Sequence, residues 1–277
     1  MRFFALPVFA VLTLFASGVF AQEAACGDED TPCRVETGTY HMAMPEGVAP
    51  KGLVIYLHGA GGRASNLLTS GIGREAVARG YAFVAPQGFH PDTRFVRNWS
   101  VRATNSVFTK DDAVFLRDVL LDVRSKTGLE GGPTLLAGFS RGGSMVWDIA
   151  CHDPSFATAY APMAGAFWDA MPDSCAAPVT LFHTHGWNDR TVPLEGRSLR
   201  GGTIVQGDVW ESLKILRATN GCDARQPERN SYEGEIWFRH WTDCTAGKIE
   251  LMLHKGGHGA PQGWSARMLD WFEAQTG

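Results

Sequence analysis

The run Thr134-Leu135-Leu136-Ala137-Gly138-Phe139-Ser140-Arg141-Gly142-Gly143 constrains the fold more than any other stretch. A short apolar segment enters Gly-x-Ser-x-Gly, and a helix-compatible segment leaves it. A strand, a sharp turn carrying serine and then a helix have this form. The flanking glycines have a steric reason: side chains there would collide with the incoming strand or the outgoing helix. Such a turn lifts the Ser140 hydroxyl to the C-terminal edge of a sheet.

The rest of the chain supplies that sheet. Leu53 to Leu57 is a continuous apolar run, as expected of a strand covered on both faces. A helix is expected over 73–79, ended by Gly80, then a strand over 81–86. Asp111-Asp112 opens the next helix, with acidic residues at its positive end. The helix after Ser140 is expected to run to about Ala150. Further strands are expected over 157–161, 179–183, 235–241 and 249–253, with helices over 210–219 and 263–274. An early strand is expected over 38–45. Strands alternating with helices predict an α/β fold, a mostly parallel central sheet with helices on both faces. Residues 88–110 form a long aromatic-rich connection holding Phe89, Phe95, Trp99 and Phe108.

The N-terminus has the pattern of an export leader. Arg2 precedes an apolar run from Phe3 to Phe15, and Val19-Phe20-Ala21 offers a cleavage point before Gln22. Residues 1–21 are therefore expected to be a signal peptide and 22–277 a single catalytic domain, secreted or periplasmic. The apolar run is too short for a membrane anchor. Six cysteines suit an oxidising compartment. Proximity along the chain suggests pairing Cys26–Cys33, Cys151–Cys175 and Cys222–Cys244. The net charge of −4 leaves no basic footprint, which argues against nucleic acid as a partner. No zinc-ligand spacing is present, and no metal or organic cofactor is expected.

Candidate chemistry collects at strand ends. His58-Gly59-Ala60-Gly61-Gly62 follows the Leu53 strand, and three glycines in five residues let backbone approach a ligand closely. An N–H from Ala60 or Gly61 would join that of Arg141 in holding an oxyanion. His58 reads as a histidine that anchors this loop. Asp189 lies a few residues past the Val179 strand, where a carboxylate can orient an imidazole. Asp173 and Asp208 follow no buried strand so closely. His258, in Gly256-Gly257-His258-Gly259 after the last strand, is the expected general base, ahead of His254 at the strand end. The chain order Ser140, Asp189, His258 is that of α/β-hydrolases and differs from the orders of chymotrypsin and subtilisin.

With these residues in hand the chain resembles exported α/β-hydrolases of the polyhydroxybutyrate-depolymerase-like esterase family, related to feruloyl and acetylxylan esterases. The likeness is carried by Leu57 to Gly62, Asn98-Trp99, Asp111-Asp112, Gly138 to Gly143, His185 to Asp189 with Val192-Pro193, Asn220-Gly221-Cys222 and Gly257-His258. It implies a Ser140–Asp189–His258 triad and ester hydrolysis through an acyl-enzyme. Family elbows usually carry a small residue after the serine; Arg141 departs from that and places a charge beside the pocket or against an acid. No Pro/Ser/Thr-rich linker to a surface-binding module is visible, so soluble esters or short oligoesters are the expected substrates. Feruloyl- or acetylxylan-type plant polysaccharide esters are the alternative, with Trp99, Phe167 and Trp187, joined by Trp168 and Trp264, lining an aromatic acyl pocket. The alternative from another class is a non-catalytic binding protein on a hydrolase scaffold; it would ordinarily lack a triad member, and all three are present.

Overall fold

The computed structural model describes residues 1, 26–90, 96–102, 110–222 and 226–276. The expected leader, Met1 apart, lies outside them, as do Phe95 and Phe108 of the aromatic connection. Ten strands form one sheet in the order β1-β2-β4-β3-β5-β6-β7-β12-β11-β10. The six central strands run parallel: β4 (Ala82–Pro86), β3 (Leu53–Leu57), β5 (Thr134–Phe139), β6 (Ala159–Met163), β7 (Thr180–Gly186) and β12 (Lys248–His254). Antiparallel strands close both edges, β2 (Gly38–Ala43) and β1 (Cys33–Val35) on one side, β11 (Ile236–Trp241) and β10 (Arg229–Glu233) on the other.

Alternation along the strands assigns the two faces. Leu53, Ile55 and Leu57 of β3 point into one core with Phe115, Leu116 and Val119 of α3 (Asp112–Thr127), and with α4 (Arg141–His152) and α5 (Val209–Asn220). Val54 and Tyr56 point into the other, against α2 (Gly71–Ala78) and α6 (Trp264–Thr276), with the short α1 (Ser65–Leu68) beside it. All five residues of β3 are buried, which is why its sequence is apolar without alternation. Asp111 caps α3 by accepting from the Ala113 and Val114 N–H groups, and Asp208 caps α5 in the same way.

The expected α/β-hydrolase architecture is the one observed. The sequence missed β1, α1, β10 and a small hairpin of β8 (Arg197–Leu199) and β9 (Ile204–Gln206), joined by a 3-10 turn at Arg200–Gly202. The hairpin strands have three residues each, too few for a periodicity to register. The disulfides are Cys26–Cys33, Cys151–Cys175 and Cys222–Cys244, as expected, and no cysteine is free. Among the described residues no helix is long and apolar enough to cross a membrane.

Candidate active site

Ser140 sits between β5 and α4 with φ 57° and ψ −119°, a conformation costly for any residue with a side chain. The neighbouring glycines make it attainable. A Cβ on Gly142 would lie 2.3 Å from the Leu57 carbonyl oxygen, and one on Gly138 would lie 2.7 Å from that of Gly142. Behind the turn, a Cβ on Gly165 would fall 2.5 Å from the Ser144 nitrogen. Helix α4 is thus packed directly onto the strand ends, and the half-buried Ser140 side chain is carried above the sheet.

The three residues singled out by position meet there. His258 Nε2 lies 2.8 Å from Ser140 Oγ, and His258 Nδ1 lies 2.7 Å from Asp189 Oδ2. The Asp189 carboxylate accepts, so Nδ1 carries the proton and Nε2 faces the serine hydroxyl with its lone pair. The other carboxylate oxygen accepts from the Thr191 and Val192 N–H groups at 2.8 and 2.9 Å. Burial would raise the Asp189 pKa, but the His258 hydrogen bond and charge, with the two N–H groups, outweigh it and hold it below the usual value. Phe139 packs against the His258 ring, with centroids 4.8 Å apart.

Main-chain bonds tie the loop of the acid to the loop of the histidine. Trp187 N–H donates to the His254 carbonyl and Asn188 N–H to that of Gly256, at 2.8 and 3.1 Å. Asn188 Nδ2 also donates to the Lys255 carbonyl. Behind Asp189 stands His185, fully buried, its Nε2 donating to the Val192 carbonyl at 2.8 Å and lying 3.5 Å from Asp189 Oδ2. His183 pairs with His185 through a 3.0 Å contact. Desolvation lowers the pKa of both, so they are neutral supports. Neither His185 nor Asn188 was given a role by sequence reasoning, although histidines inside an otherwise apolar strand were the available signal.

The oxyanion candidates separate. The Gly61 N–H is committed to the Arg97 carbonyl at 2.7 Å, which removes it as a donor. Ala60, exposed at the end of β3, remains. The Arg141 N–H opens α4, at the positive end of a helix whose side chains are buried from Arg141 to Cys151. The Arg141 side chain turns inward: Nε donates to the Trp99 carbonyl at 2.8 Å and the guanidinium lies 4.1 Å over the Trp168 ring. Burial draws its pKa down to about 10, against the opposing pull of Asp148 and Asp112. It therefore does not line the space above Ser140.

The expected aromatic pocket is corrected for two of its three main members. Trp99 is completely buried, with its indole N–H given to the His58 carbonyl, and Phe167 packs edge-on against Trp147 in the core. Trp264 is buried too, and donates to Thr184 Oγ1. Trp187 alone of the three is exposed. His58 anchors its loop: Nδ1–H donates to the Gly59 carbonyl and Nε2 accepts from the Gly88 N–H, while desolvation lowers its pKa. His254 accepts from the Gly256 N–H through Nδ1 and takes no part in the Ser140 contact. Among the described residues no cluster of histidine, cysteine and carboxylate side chains is arranged to hold a metal ion.

No protein-family model matches the chain. Feruloyl esterase C of Emericella nidulans is 27% identical over 91% of each protein. A probable feruloyl esterase C of Aspergillus terreus is 25% identical over 91% of this chain and 88% of its own. Among solved structures, an acetyl xylan esterase from Aspergillus awamori superposes with a TM-score of 0.60 at 16% identity, covering 85% of this chain and 93% of its own. A Bacillus cereus carboxylesterase superposes at 0.58 and 14% identity, again over 85% and 93%. The parallel sheet with its serine turn is the α/β-hydrolase fold shared with these solved structures, and over most of its length the chain is similar to the two feruloyl esterases.

Proposed function

We propose that this carboxylic-ester hydrolase works through a Ser140–His258–Asp189 triad and an acyl-enzyme. The observation that carries the reading is the unbroken chain of contacts from Ser140 Oγ through His258 to Asp189, 2.8 and 2.7 Å long. Ser140 Oγ attacks the ester carbonyl carbon as its proton passes to His258 Nε2. The carbonyl oxygen takes up the negative charge, held by the N–H groups of Arg141 and Ala60. The C–O bond to the alcohol breaks, and the alkoxide leaves with the proton from His258. Water then attacks the acyl carbon, gives its proton to His258, and Ser140 leaves with that proton while the carboxylic acid departs. Asp189 keeps the His258 tautomer and stabilises the imidazolium formed in each step.

For the acyl group and its carrier, the fungal relatives favour a polysaccharide-borne aromatic or acetyl ester over a hydroxyalkanoate oligoester. The hydroxyalkanoate reading rests on the family likeness in the sequence. Export through the N-terminal leader and action outside the cytoplasm belong to the same proposal, and the three disulfides support them.

The test is hydrolysis of p-nitrophenyl acyl esters, methyl ferulate, acetylated xylan and a hydroxybutyrate oligomer by the mature protein and by Ser140→Ala. Loss of about 10⁴-fold or more in kcat is expected in the variant. Activity near that of the unaltered protein in Ser140→Ala would overturn the assignment of the nucleophile, and the preferred ester selects the substrate class.

A further inference from the structure

Asn98-Trp99 and Asp111-Asp112 carry part of the likeness in the sequence and have no place in the relay from Ser140 through His258 to Asp189. Their place is at the other half of the site. The loop that offers the Ala60 N–H is gripped on both sides of that residue by one short segment, Arg97 to Trp99. Before Ala60, the Trp99 indole N–H donates to the His58 carbonyl at 2.8 Å, and the two rings pack together with centroids 5.0 Å apart. After it, Gly61 exchanges two bonds with Arg97. The Gly61 N–H donates to the Arg97 carbonyl at 2.7 Å, and the Gly61 carbonyl accepts from Arg97 Nε at 2.9 Å. The same segment reaches the second donor. The Trp99 carbonyl accepts from Arg141 Nε at 2.8 Å, and Arg141 presents its own N–H from the first residue of α4.

The segment is itself anchored from behind. The Ser100 N–H donates to Asp112 Oδ2 at 2.8 Å, and His90 Nε2 lies 2.6 Å from the same oxygen. Asp112 is the first residue of α3 and is completely buried. Gly88 leaves no slack beside it: a Cβ there would lie 2.4 Å from the Asn98 carbonyl oxygen and 2.8 Å from the Trp99 ring. Asn98 and Trp99 are buried, whereas Ala60 is exposed. A loop with Gly59, Gly61 and Gly62 around its donor has little stiffness of its own. Its shape comes from the bonds on either side.

We propose that Trp99 and Arg97 are positioning residues that hold the Ala60 and Arg141 N–H groups at the spacing the oxyanion needs. The proposal rests on the ester-hydrolase reading. Donors stabilise a developing oxyanion most when they are fixed in advance where the charge will appear, so that nothing has to reorganise during the reaction. The neutral carbonyl of the bound ester gains far less from them, so loosening the loop acts on kcat rather than on KM. The Arg141 side chain acquires a reason here: a small residue after the serine could not reach the Trp99 carbonyl. Arg141 thus serves through its N–H toward the substrate and through its guanidinium toward the segment that sets the partner donor.

The experiment compares Trp99→Phe, Arg97→Ala and Arg141→Met with the unaltered protein. Trp99→Phe keeps a ring and removes the N–H. Arg97→Ala removes one of the two bonds to Gly61 from a partly exposed position. Arg141→Met keeps the backbone N–H and removes the tether. Each is measured for kcat and KM on p-nitrophenyl acetate, and for inhibition by a trifluoromethyl ketone, which adds to the serine as a hemiketal oxyanion. A fall in kcat of about 10- to 100-fold is expected, with KM nearly unchanged and ketone affinity falling by a similar factor. Circular dichroism and the thermal midpoint verify that each variant is folded, and Arg97→Ala carries the test if the buried substitutions do not fold. Unchanged kcat in folded variants, a loss in KM alone, or undiminished ketone affinity would overturn the proposal. Ser140→Ala keeps the two readings apart. Activity retained there overturns the nucleophile and this proposal with it, whereas an inert Ser140→Ala beside fully active Trp99→Phe and Arg97→Ala overturns the positioning role alone.

Discussion

Gly186 and Gly257 lie so close that a Cβ on Gly186 would sit 2.3 Å from the Gly257 carbonyl oxygen. Gly186 ends the strand leading to Asp189, and Gly257 precedes His258. The approach of these two backbones sets the separation of the acid and the histidine. Gly186→Ala forces the loops apart with no flexible side chain to absorb the clash. A drop in kcat on the order of 10²-fold is expected, since a displacement of about 1 Å is enough for that. Steady-state kinetics on a small ester, with the thermal midpoint alongside, reads it out.

Asp189→Asn tests what the acid does for His258. The carboxylate accepts from Nδ1–H at 2.7 Å and from two backbone N–H groups. An amide in its place can present NH₂ to Nδ1 and so favour the wrong imidazole tautomer. A loss of about 10⁴-fold in kcat is expected, the magnitude known for the same exchange in a serine protease. A loss below tenfold would remove Asp189 from the proposed triad.

Asp148 offers a test in pH. It is buried in α4 and accepts from the Arg102 N–H at 2.6 Å. Desolvation raises its pKa from 3.8 to about 6, over the opposing effects of that hydrogen bond and of the Arg102 and Arg141 charges. Between those two values the folded state binds more protons than the unfolded one, so through this group stability rises as pH falls. Above the folded value the ionised carboxylate is a standing penalty. Asp148→Asn keeps an acceptor for the Arg102 N–H and removes that penalty. Its thermal midpoint should exceed that of the unaltered protein at about pH 8, and the difference should vanish below about pH 4.

The disulfides are open to direct test. Cys222–Cys244 and Cys151–Cys175 close loops with sequence separations of 22 and 24. Cross-links of that span are worth roughly 3 kcal/mol each through the unfolded chain. Replacing Cys222 and Cys244 by serine together should lower the unfolding free energy by about that amount in urea titrations. Peptide mapping without reductant should recover all three pairs.

The sheet was readable where strands are covered on both faces, because continuous apolar runs such as Leu53 to Leu57 have no other economical use. Polar β10 escaped notice: its residues Arg229 to Glu233 answer to an edge pairing with β11, and their own pattern says nothing of it. Strand β7 continues past the expected end at His183 because Thr184, His185 and Gly186 pair with Met252, Leu253 and His254 of β12. That pairing joins segments about 70 residues apart, which local spacing does not define.

Local chemistry in the chain determined the serine turn, the alternation of strands and helices, and the order of Ser140, Asp189 and His258. Each follows from sterics or periodicity within a few neighbouring residues. Tertiary structure decided which aromatic residues face solvent, sending Trp99 and Phe167 inward and leaving Trp187 and Tyr232 outside. It also gave the Gly61 N–H to Arg97 and turned the Arg141 side chain under Trp168. Burial and hydrogen-bond partnership are set by residues distant in the chain, so Trp99 ends inside the protein and Trp187 outside it.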